Sequence, residues 1–499
     1  MFYHEGLLAE AQEFADREWP KVEADLADLV AIDSAKGVPD EGAGAPYGPG
    51  PRKALDAMLA KAEAYGLVPH DGGGHMGYAD APGAGTADTR KQLAIIGHLD
   101  TVPAGDGWSS DPHTLALRDG LYVGRGVSDD KGPLTCALHA VRFWMERTAQ
   151  TGECFPHDLR MLFGCDEESG MGDADWYLAH HEAPDFLFTP DAEFPVCYGE
   201  KGQFQARIVS KPIADGALVS LSAGEAVNAI PGVATAVVRV QPGRLPAASC
   251  IEVAPCPDRT AGSGESTCSM VTAHGIAGHA AMPEGAVNAL HLLASYLVEA
   301  GVLTADETQW LAFVRDITGQ TDGAYFGMQI SDADFGPLTC VAGMARLAPE
   351  AGEGAADAPV CRFTQSIDCR FPTGTTAEEL RDKVAATVQA AGLKAQVEPL
   401  SLVEPLIVDP DTAPVQALRR AYALASGVDA APVTMGGGTY AHHFPRGTSF
   451  GAEDLARFPR PSWAGGMHAV DEAVPVAELK QALVAYILAI ALLMDGDLS

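Results

Sequence analysis

The sequence predicts an α/β domain that is interrupted by an inserted α+β domain. From about residue 53 to residue 193, apolar strand-like runs alternate with helical runs, and polar residues follow the strands. That alternation is typical of an open α/β sheet with ligands at the carboxyl ends of its strands. From Gly202 onward alternating strand-like runs dominate, and after Pro399 the first pattern returns. We therefore predict one domain formed by residues 1–202 and 401–499, and a second domain formed by residues 203–400.

The periodicity of the apolar residues places the elements. In the first domain, helices are expected at Gly6–Leu29 (broken near Pro20), Lys53–Tyr65, Leu134–Trp144, Ala174–His180, Pro414–Ser426 and Pro475–Met494. Strands are expected to end at His98 and to cover Asp158–Gly164 and Phe186–Phe188, with a loop between Tyr65 and the first strand.

The insert is predicted from runs of alternating polarity. Its expected strands are Gln203–Ser210, Ala217–Leu221, Ala234–Val240, Met270–Gly275, Thr339–Arg346 and Arg362–Phe371. Its expected helices are Gly285–Glu299, Glu307–Asp316 and Thr376–Ala391, and the Ala- and Gly-rich segment Pro349–Pro359 is expected to be a loop.

The composition argues against several classes of partner. The 499 residues carry a formal net charge of -34, which disfavours nucleic-acid backbones and anionic membranes. Residues 1–15 lack the basic start and apolar core of a signal peptide. The apolar run Ala482–Met494 is shorter than the about 20 residues that a membrane helix needs. Ten cysteines without a C-x-x-C pair indicate reduced thiols. We therefore expect a cytoplasmic protein with no nucleic-acid or membrane partner.

The strand Ile95–Asp100 ends in a histidine and a carboxylate with one residue between them. On an extended backbone His98 and Asp100 point the same way. His98 can bind a metal through one ring nitrogen, while Asp100 holds the other nitrogen directly or by steering the ring. Taken alone, the pair indicates an ordinary strand that runs into a capped loop more strongly than it indicates a metal site.

Five candidate metal ligands stand at strand ends or in loops: His98, Asp129, Glu168, Asp191 and His468. Each has a structural alternative, since Asp129 could cap a helix and the other carboxylates could be solvated turn residues. Together they form a nitrogen and oxygen set that suits two divalent ions such as Zn, Mn or Co. With five ligands, one carboxylate must bridge the two ions if each ion is to have three protein ligands. Two such ions can share a hydroxide and bring its pKa toward neutrality.

The adjacent carboxylates Glu167 and Glu168 repel each other unless cations compensate. The adjacent pair would be explained if one carboxylate binds a metal and the other faces the water that bridges the metals. The neighbour could then accept the proton of the water and pass it to the leaving nitrogen. Two solvated acids remain the alternative.

As a set, these motifs resemble the dinuclear-metal amidohydrolase family of aminoacylases, glutamate-type carboxypeptidases and carnosinase-like dipeptidases. The segments that carry the resemblance are His98–Asp100, Gly126–Gly132, Asp166–Gly170, Pro190–Glu193 and Met467–His468. The segments Pro190–Glu193, Gly199–Gly202 and Gly436–Tyr440, with the long insert, are most similar to the dipeptidase V subgroup of Xaa-His and β-Ala-Xaa dipeptidases.

The resemblance implies a mixed-sheet, zinc-peptidase-type catalytic domain with the α+β insert as a lid. It implies that Asp129 bridges two metals, that His98 and Asp191 complete one site, and that Glu168 and His468 complete the other. Asp100 would orient His98, and Glu167 would be the general base. The cofactors would be two divalent ions, zinc first, with manganese or cobalt as alternatives.

The resemblance also assigns residues of the lid to the substrate. His279 would donate to the oxyanion that forms on the scissile carbonyl. Asn228 matches a second lid residue that contacts the substrate. Arg370 matches an arginine that would bind the free carboxylate of the substrate with two hydrogen bonds. The backbone amides around Gly437 and Gly438 would help to hold that carboxylate. The sequence departs from relatives at His442-His443, where they place an arginine after the alanine.

We therefore predict a monomeric metallodipeptidase that cleaves a small peptide through a metal-bridging hydroxide. Binding both ends of the substrate under a closed lid would restrict it to dipeptides. Two alternatives stay open: an N-acyl amino acid deacylase with the same metals and base, and a non-catalytic peptide- or metal-binding protein on the same fold.

Overall fold

A computed structural model describes residues 1–84, 90–213, 216–256, 268–349 and 361–499. It divides into two units, one of Met1–Gly199, Ile407–Thr434 and Thr439–Ser499, and a second of Glu200–Leu406 and Met435–Gly438. We call them unit 1 and unit 2. Apart from Pro349, the loop predicted at Pro349–Pro359 lies outside the described residues.

Unit 1 is built on a mixed sheet. In spatial order its strands are Val68–Asp71, Gly77–Ala81, Asp158–Gly164, Gln92–His98, Phe186–Thr189, Gly447–Ser449, Cys197–Glu200 and Leu406–Ile407, with Val433–Met435 paired to Cys197–Glu200. The strand Gln92–His98 lies between two parallel neighbours, Asp158–Gly164 and Phe186–Thr189. Its residues from Leu93 to His98 are buried, as expected for a parallel strand covered on both faces.

Helices pack around this sheet. In chain order they are α1 (Leu7–Val30), α2 (Pro49–Ala64), α3 (Lys131–Thr151) and α4 (Gly172–His180), followed after Leu406 by α8 (Ala413–Ser426) and α9 (Val476–Met494). Helix α9 contacts α1, α3 and α8, and most of its side chains are buried. By length and composition alone α9 could cross a membrane, but 72% of its apolar window is buried inside the protein, as in the core helix of a globular domain.

Unit 1 also contains two small sheets. One pairs Ala473–Pro475 with Leu121–Val123, which in turn pairs with Ala116–Arg118. The other pairs Ala192–Glu193 in parallel with Ala452–Glu453.

Unit 2 is an antiparallel sheet covered by helices. Its strands in spatial order are Ile251–Pro255, Ser269–His274, Val233–Val238, Leu218–Ala223, Ala345–Pro349, Cys361–Phe371, Gly202–Ser210 and Ala395–Val403, with Thr339–Val341 also paired to Cys361–Phe371. The helices α5 (Ala289–Ala300), α6 (Ala305–Thr318) and α7 (Ala377–Ala390) bury apolar side chains in the same core as the strands. Two short ladders complete unit 2, Ala229–Ile230 with Gly278–His279, and Ser331–Asp332 with Gly336–Pro337.

The structure corrects several predicted elements. The first helix does not break, because Pro20 lies inside the continuous helix α1, whose buried face extends on both sides of it. The segment predicted as a loop after Tyr65 contains the strands Val68–Asp71 and Gly77–Ala81. The single strand predicted at Thr339–Arg346 is two strands, Thr339–Val341 and Ala345–Pro349.

Candidate metal centre and active site

The candidate ligands of unit 1 gather where the parallel strands end. His98 is the last residue of its strand and pairs with Gly164 of the neighbouring strand, which leads directly to Glu167 and Glu168. The neighbour on the other side ends at Thr189, two residues before Asp191. Because the carboxyl ends of parallel strands meet at one edge of a sheet, the three loops converge. His98 and Asp100 are both fully buried there.

Asp129 lies between the two candidate histidines. Its Oδ1 is 2.8 Å from His98 Nε2, and its Oδ2 is 3.0 Å from His468 Nε2. His468 Nε2 is also 3.0 Å from Glu168 Oε2, and His98 Nε2 is 3.6 Å from Asp191 Oδ2. Each Asp129 oxygen therefore faces a different imidazole, as required of a carboxylate that bridges two cations.

Two overlapping groups of these side chains could each hold an ion. In one group, potential ligand atoms of His98, Glu167 and Asp191 all lie within 4.8 Å of one another. In the other, those of His98, Asp129 and Glu168 do so. Nitrogen and carboxylate-oxygen ligands of this kind suit Zn²⁺, Mn²⁺ and Co²⁺. The donor set therefore fits divalent metal ions.

The electrostatics of the cluster also favour cations. Burial, with the charge of Asp129 added to it, raises the pKa of Asp191 to about 7. Burial raises the pKa of Glu167 well above its usual range, and the carboxylates of Asp191 and Glu168 add to the effect. Hydrogen bonds to Asp129 and Glu168 raise the pKa of His468 to about 11. Crowded, desolvated carboxylates hold protons in this way unless positive charge compensates them.

Asp100 contacts His98 through its backbone and the glutamate turn through its side chain. His98 Nδ1 donates to the Asp100 carbonyl at 2.9 Å, whereas the Asp100 carboxylate is 3.6 Å from Nδ1. The carboxylate accepts from the backbone amides of Glu167 and Glu168 at 3.2 and 3.1 Å. The Asp100 carbonyl therefore fixes the orientation of the His98 ring, and the Asp100 carboxylate fixes the backbone of the turn that carries both glutamates. The sequence predicted that the Asp100 side chain orients His98, and it did not predict that this side chain holds the glutamate turn.

Asp173, a residue not predicted from the sequence, holds the preceding part of the same turn. This buried carboxylate accepts from the amides of Cys165 and Asp166 at 2.6 and 3.0 Å, and from the hydroxyl of Tyr440. Asp100 and Asp173 thus accept hydrogen bonds from four successive backbone amides, those of Cys165 to Glu168. No pattern in the sequence marks Asp173, because apart from Tyr440 these partners are backbone amides.

Gly97 leaves room for the side chain of Asp130 next to His98. Asp130 Oδ2 accepts from the His98 amide at 3.1 Å, and burial raises the pKa of Asp130 well above its usual range. A Cβ atom at Gly97 would lie 2.3 Å from that oxygen and 2.9 Å from Leu134 Cδ1. Only glycine fits at this position with Asp130 in place.

Within unit 2, the predicted residues His279 and Asn228 are neighbours. His279 pairs with Ala229 in a short ladder, and the Ala280 amide donates to the Asn228 carbonyl at 2.8 Å. The His279 side chain is exposed, and its Nδ1 accepts from the Ala281 amide at 3.2 Å.

The other predicted substrate residues of unit 2 are the glycine segment and Arg370. A Cβ atom at Gly436 would lie 3.3 Å from Ala281 Cβ, so the segment leading into Gly437 and Gly438 lies against the loop after His279. Arg370 is buried and its Nε donates to Asp368 Oδ1 at 3.0 Å. Arg370 is therefore already paired with a carboxylate of its own strand.

Comparisons with known proteins agree with this architecture. Residues 94–492 match the model of peptidase family M20/M25/M40. The chain is 31% identical over 438 residues to a protein of Staphylococcus aureus (strain bovine RF122 / ET3-1) whose name gives dipeptidase as an unproven assignment, covering 86% of this chain and 88% of the relative.

Two solved structures share the fold. Human carnosine dipeptidase 1 has a TM-score of 0.56 at 14% identity and covers 97% of this chain and 99% of its own. The dipeptidase Dug1p from Saccharomyces cerevisiae has a TM-score of 0.58 at 14% identity and covers 98% of this chain and 99% of its own. The chain belongs to peptidase family M20/M25/M40. It is a metallopeptidase with dipeptidase relatives, and its fold, a catalytic domain with an inserted α+β domain, is the one expected from the sequence.

Proposed function

We propose that this protein hydrolyses dipeptides with two divalent metal ions, zinc first, with manganese or cobalt as alternatives. His98, Asp129 and Asp191 would hold one ion, and Asp129, Glu168 and His468 the other. The observation that carries the proposal is the position of Asp129, whose two oxygens lie 2.8 and 3.0 Å from the two different histidines. Bound together, such ions supply a water of near-neutral pKa and polarise the scissile carbonyl.

Glu167 would move the proton in this reaction. Its carboxylate belongs to the group with His98 and Asp191, and its backbone amide is fixed by Asp100 at 3.2 Å. A buried carboxylate with a raised pKa is a stronger base than one in water. Glu167 would take the proton of the attacking water and then deliver it to the leaving nitrogen.

For the substrate, we propose that His279 donates to the carbonyl oxygen on which negative charge develops. Asn228, next to His279 in the same ladder, would add a second contact. Arg370 and the amides around Gly437 and Gly438 would receive the free carboxylate of the peptide. Since Arg370 is paired with Asp368 at 3.0 Å, a substrate carboxylate would have to share the guanidinium with it.

The test compares Ala-Xaa dipeptides with the matching N-acetyl-Xaa compounds on protein loaded separately with zinc and manganese. We expect turnover of the dipeptides and little of the acylated compounds, because a dipeptidase binds the free amine. Equal or faster cleavage of the acylated compounds would make the protein a deacylase. Binding of dipeptides without any turnover would make it a peptide-binding protein.

The monomeric state and the cytoplasmic location stay predictions. Light scattering on the purified, metal-loaded chain tests the first, and fractionation of the source cells tests the second.

A further inference from the structure

Glu472 is a fully buried carboxylate of unit 1 that accepts from the loop carrying Asp129. Its Oε1 accepts from the amides of Ser128 and Asp129 at 2.9 and 3.2 Å. Its Oε2 accepts from the amide of Gly126 at 3.2 Å. A carboxylate that takes three amides of one short loop fixes the backbone of that loop, and with it the direction of the Asp129 side chain.

Arg125 connects Glu472 with the second histidine. Its Nη1 donates to Glu472 Oε2 at 2.7 Å, and both side chains are buried. Its Nη2 lies 3.4 Å from the carbonyl oxygen of His468, and its guanidinium lies 5.1 Å from the ring centre of Trp108. The pair therefore spans from the loop of Asp129 to the loop of His468.

The loop from His468 to Glu472 needs such support. His468 and Asp471 have φ angles of 63° and 54°, in the left-handed region that non-glycine residues rarely adopt. Residues in this conformation persist only where surrounding contacts hold them. Glu472 supplies such contacts at the end of the loop, since its backbone carbonyl also accepts from the Gly124 amide at 3.1 Å.

We propose that Arg125 and Glu472 form a positioning pair that holds Asp129 and His468 together as ligands of one ion. The proposal rests on the metal centre of the proposed function and assigns no chemical step to either residue. Among the described residues, no hydrogen bond or ion pair joins the pair to His98, Glu167 or Asp191. The ion held by His98, Asp129 and Asp191 therefore depends on the pair only through Asp129.

The test measures metal binding of the purified full chain by calorimetry with Zn²⁺ and by metal analysis after gel filtration. The variant is Glu472→Gln, which removes the charge and one acceptor oxygen. We expect the dissociation constant of the ion held by Asp129, Glu168 and His468 to rise by about 10- to 100-fold, as when groups that orient metal ligands are lost. The other ion shares only Asp129 with the pair, so its dissociation constant should rise less. The bound metal should fall from two ions to one per chain, and excess Zn²⁺ should restore most of the turnover.

The chain offers a matched control in Glu307 of unit 2. This buried glutamate also accepts from three backbone amides, those of Ala217, Leu218 and Thr304, at 3.2, 2.8 and 2.8 Å. Glu307→Gln should lower the unfolding temperature and leave both zinc constants unchanged. Equal zinc constants in the parent and Glu472→Gln, or equal losses in the two variants, would overturn the proposal.

A second variant covers the case in which Glu472→Gln does not fold. Arg125→Lys keeps the charge but loses the forked contact to Glu472 and His468. This variant should bind the ion held by Asp129, Glu168 and His468 less tightly. Unchanged zinc binding by Arg125→Lys would then overturn the proposal. A parent that binds two ions without cleaving peptides would refute only the proposed reaction, whereas a parent that binds fewer than two would refute the metal centre and this pair together.

Discussion

Glu167 and Glu168 are adjacent in sequence but differ in what their carboxylates contact. Glu168 lies 3.0 Å from His468 and accepts from the Val102 amide at 3.3 Å. Glu167 instead groups with His98 and Asp191. The two side chains can therefore divide the tasks of ligand and base.

We expect Glu167→Gln to lower kcat by about 10²- to 10⁴-fold, the usual contribution of a positioned general base. Metal content, measured by elemental analysis, should stay near the parental value, because the five proposed ligands are untouched. Glu168→Gln is the contrasting variant and should lose metal. Retained turnover in Glu167→Gln would refute the assignment of the base.

The exposed His279 of unit 2 is proposed to stabilise charge on the substrate. His279→Ala should lower kcat by about 10²- to 10³-fold, the cost of removing one oxyanion donor, with metal content unchanged. Loss of metal in this variant would show that His279 is a ligand instead.

At the scale of elements, a buried acid joins three helices of unit 1. Asp25 of α1 accepts from His139 of α3 at 3.0 Å and from Lys61 of α2 at 2.9 Å, and also from Lys21 and Tyr65. Burial alone would raise the pKa of Asp25, but these hydrogen bonds outweigh it and hold the pKa well below its usual value.

Asp25→Asn should lower the free energy of unfolding by about 3 kcal/mol at pH 7, because the hydrogen-bond donors around the buried carboxylate lose a charged acceptor. A folded pKa below the unfolded value of about 3.9 stabilises the fold above that pH and stops doing so as the pH falls further. The difference between parent and variant should thus persist from pH 7 to pH 5 and shrink below about pH 4. Chemical denaturation across this range measures it, and a difference that vanished already at pH 6 would contradict the network.

The strand that ends at His98 depends on Gly97. Gly97→Ala places a methyl group against Asp130 and Leu134, and overpacking of this kind costs about 1–3 kcal/mol. We expect a lower unfolding temperature and weaker zinc binding, since His98 is the next residue. Gly243→Ala is the control, because a Cβ atom there meets nothing within 4 Å. Equal behaviour of the two variants would contradict the close approach.

The elements that could be predicted are those whose own residues decide their structure. The apolar run before His98 and the amphipathic pattern of α7 mark their elements directly, and polar residues at the ends of adjacent parallel strands predict that the ligands converge. Pro20 misled the prediction because the packing of α1 on both sides of it overrides the local preference. Ala395–Val403 was not predicted, since it is an edge strand that contains Pro399 and exposed leucines.

Asp173 and Glu472 could not be predicted for a different reason. Each accepts mainly from backbone amides, which every residue except proline possesses, so neither has a partner that the sequence identifies. Glu472 lies only four residues after His468, and this proximity is the one signal that points to it.

At the scale of the whole molecule, we expect the crowded carboxylates of the candidate metal centre to make stability depend on metal. Chelation should abolish turnover and lower the unfolding temperature, because ions that bind the folded state stabilise it by about 2.7 kcal/mol at a hundred times their dissociation constant. Calorimetric scans with and without chelator, followed by addition of Zn²⁺, Mn²⁺ or Co²⁺, measure both effects and rank the metals. An unchanged unfolding temperature after complete metal removal would contradict the centre.

Helix α9 has a consequence for the order in which the protein can be made. It packs against α1 and α3, yet the ribosome synthesises all of unit 2 between α3 and α9. The apolar side chains of α1 and α3 that α9 covers in the folded protein therefore stay without this partner while unit 2 is being translated. During that interval the nascent chain exposes a hydrophobic surface to which a chaperone can bind. Ribosome-bound chains stalled just before Val476 should be captured by such chaperones more strongly than chains released after Met494.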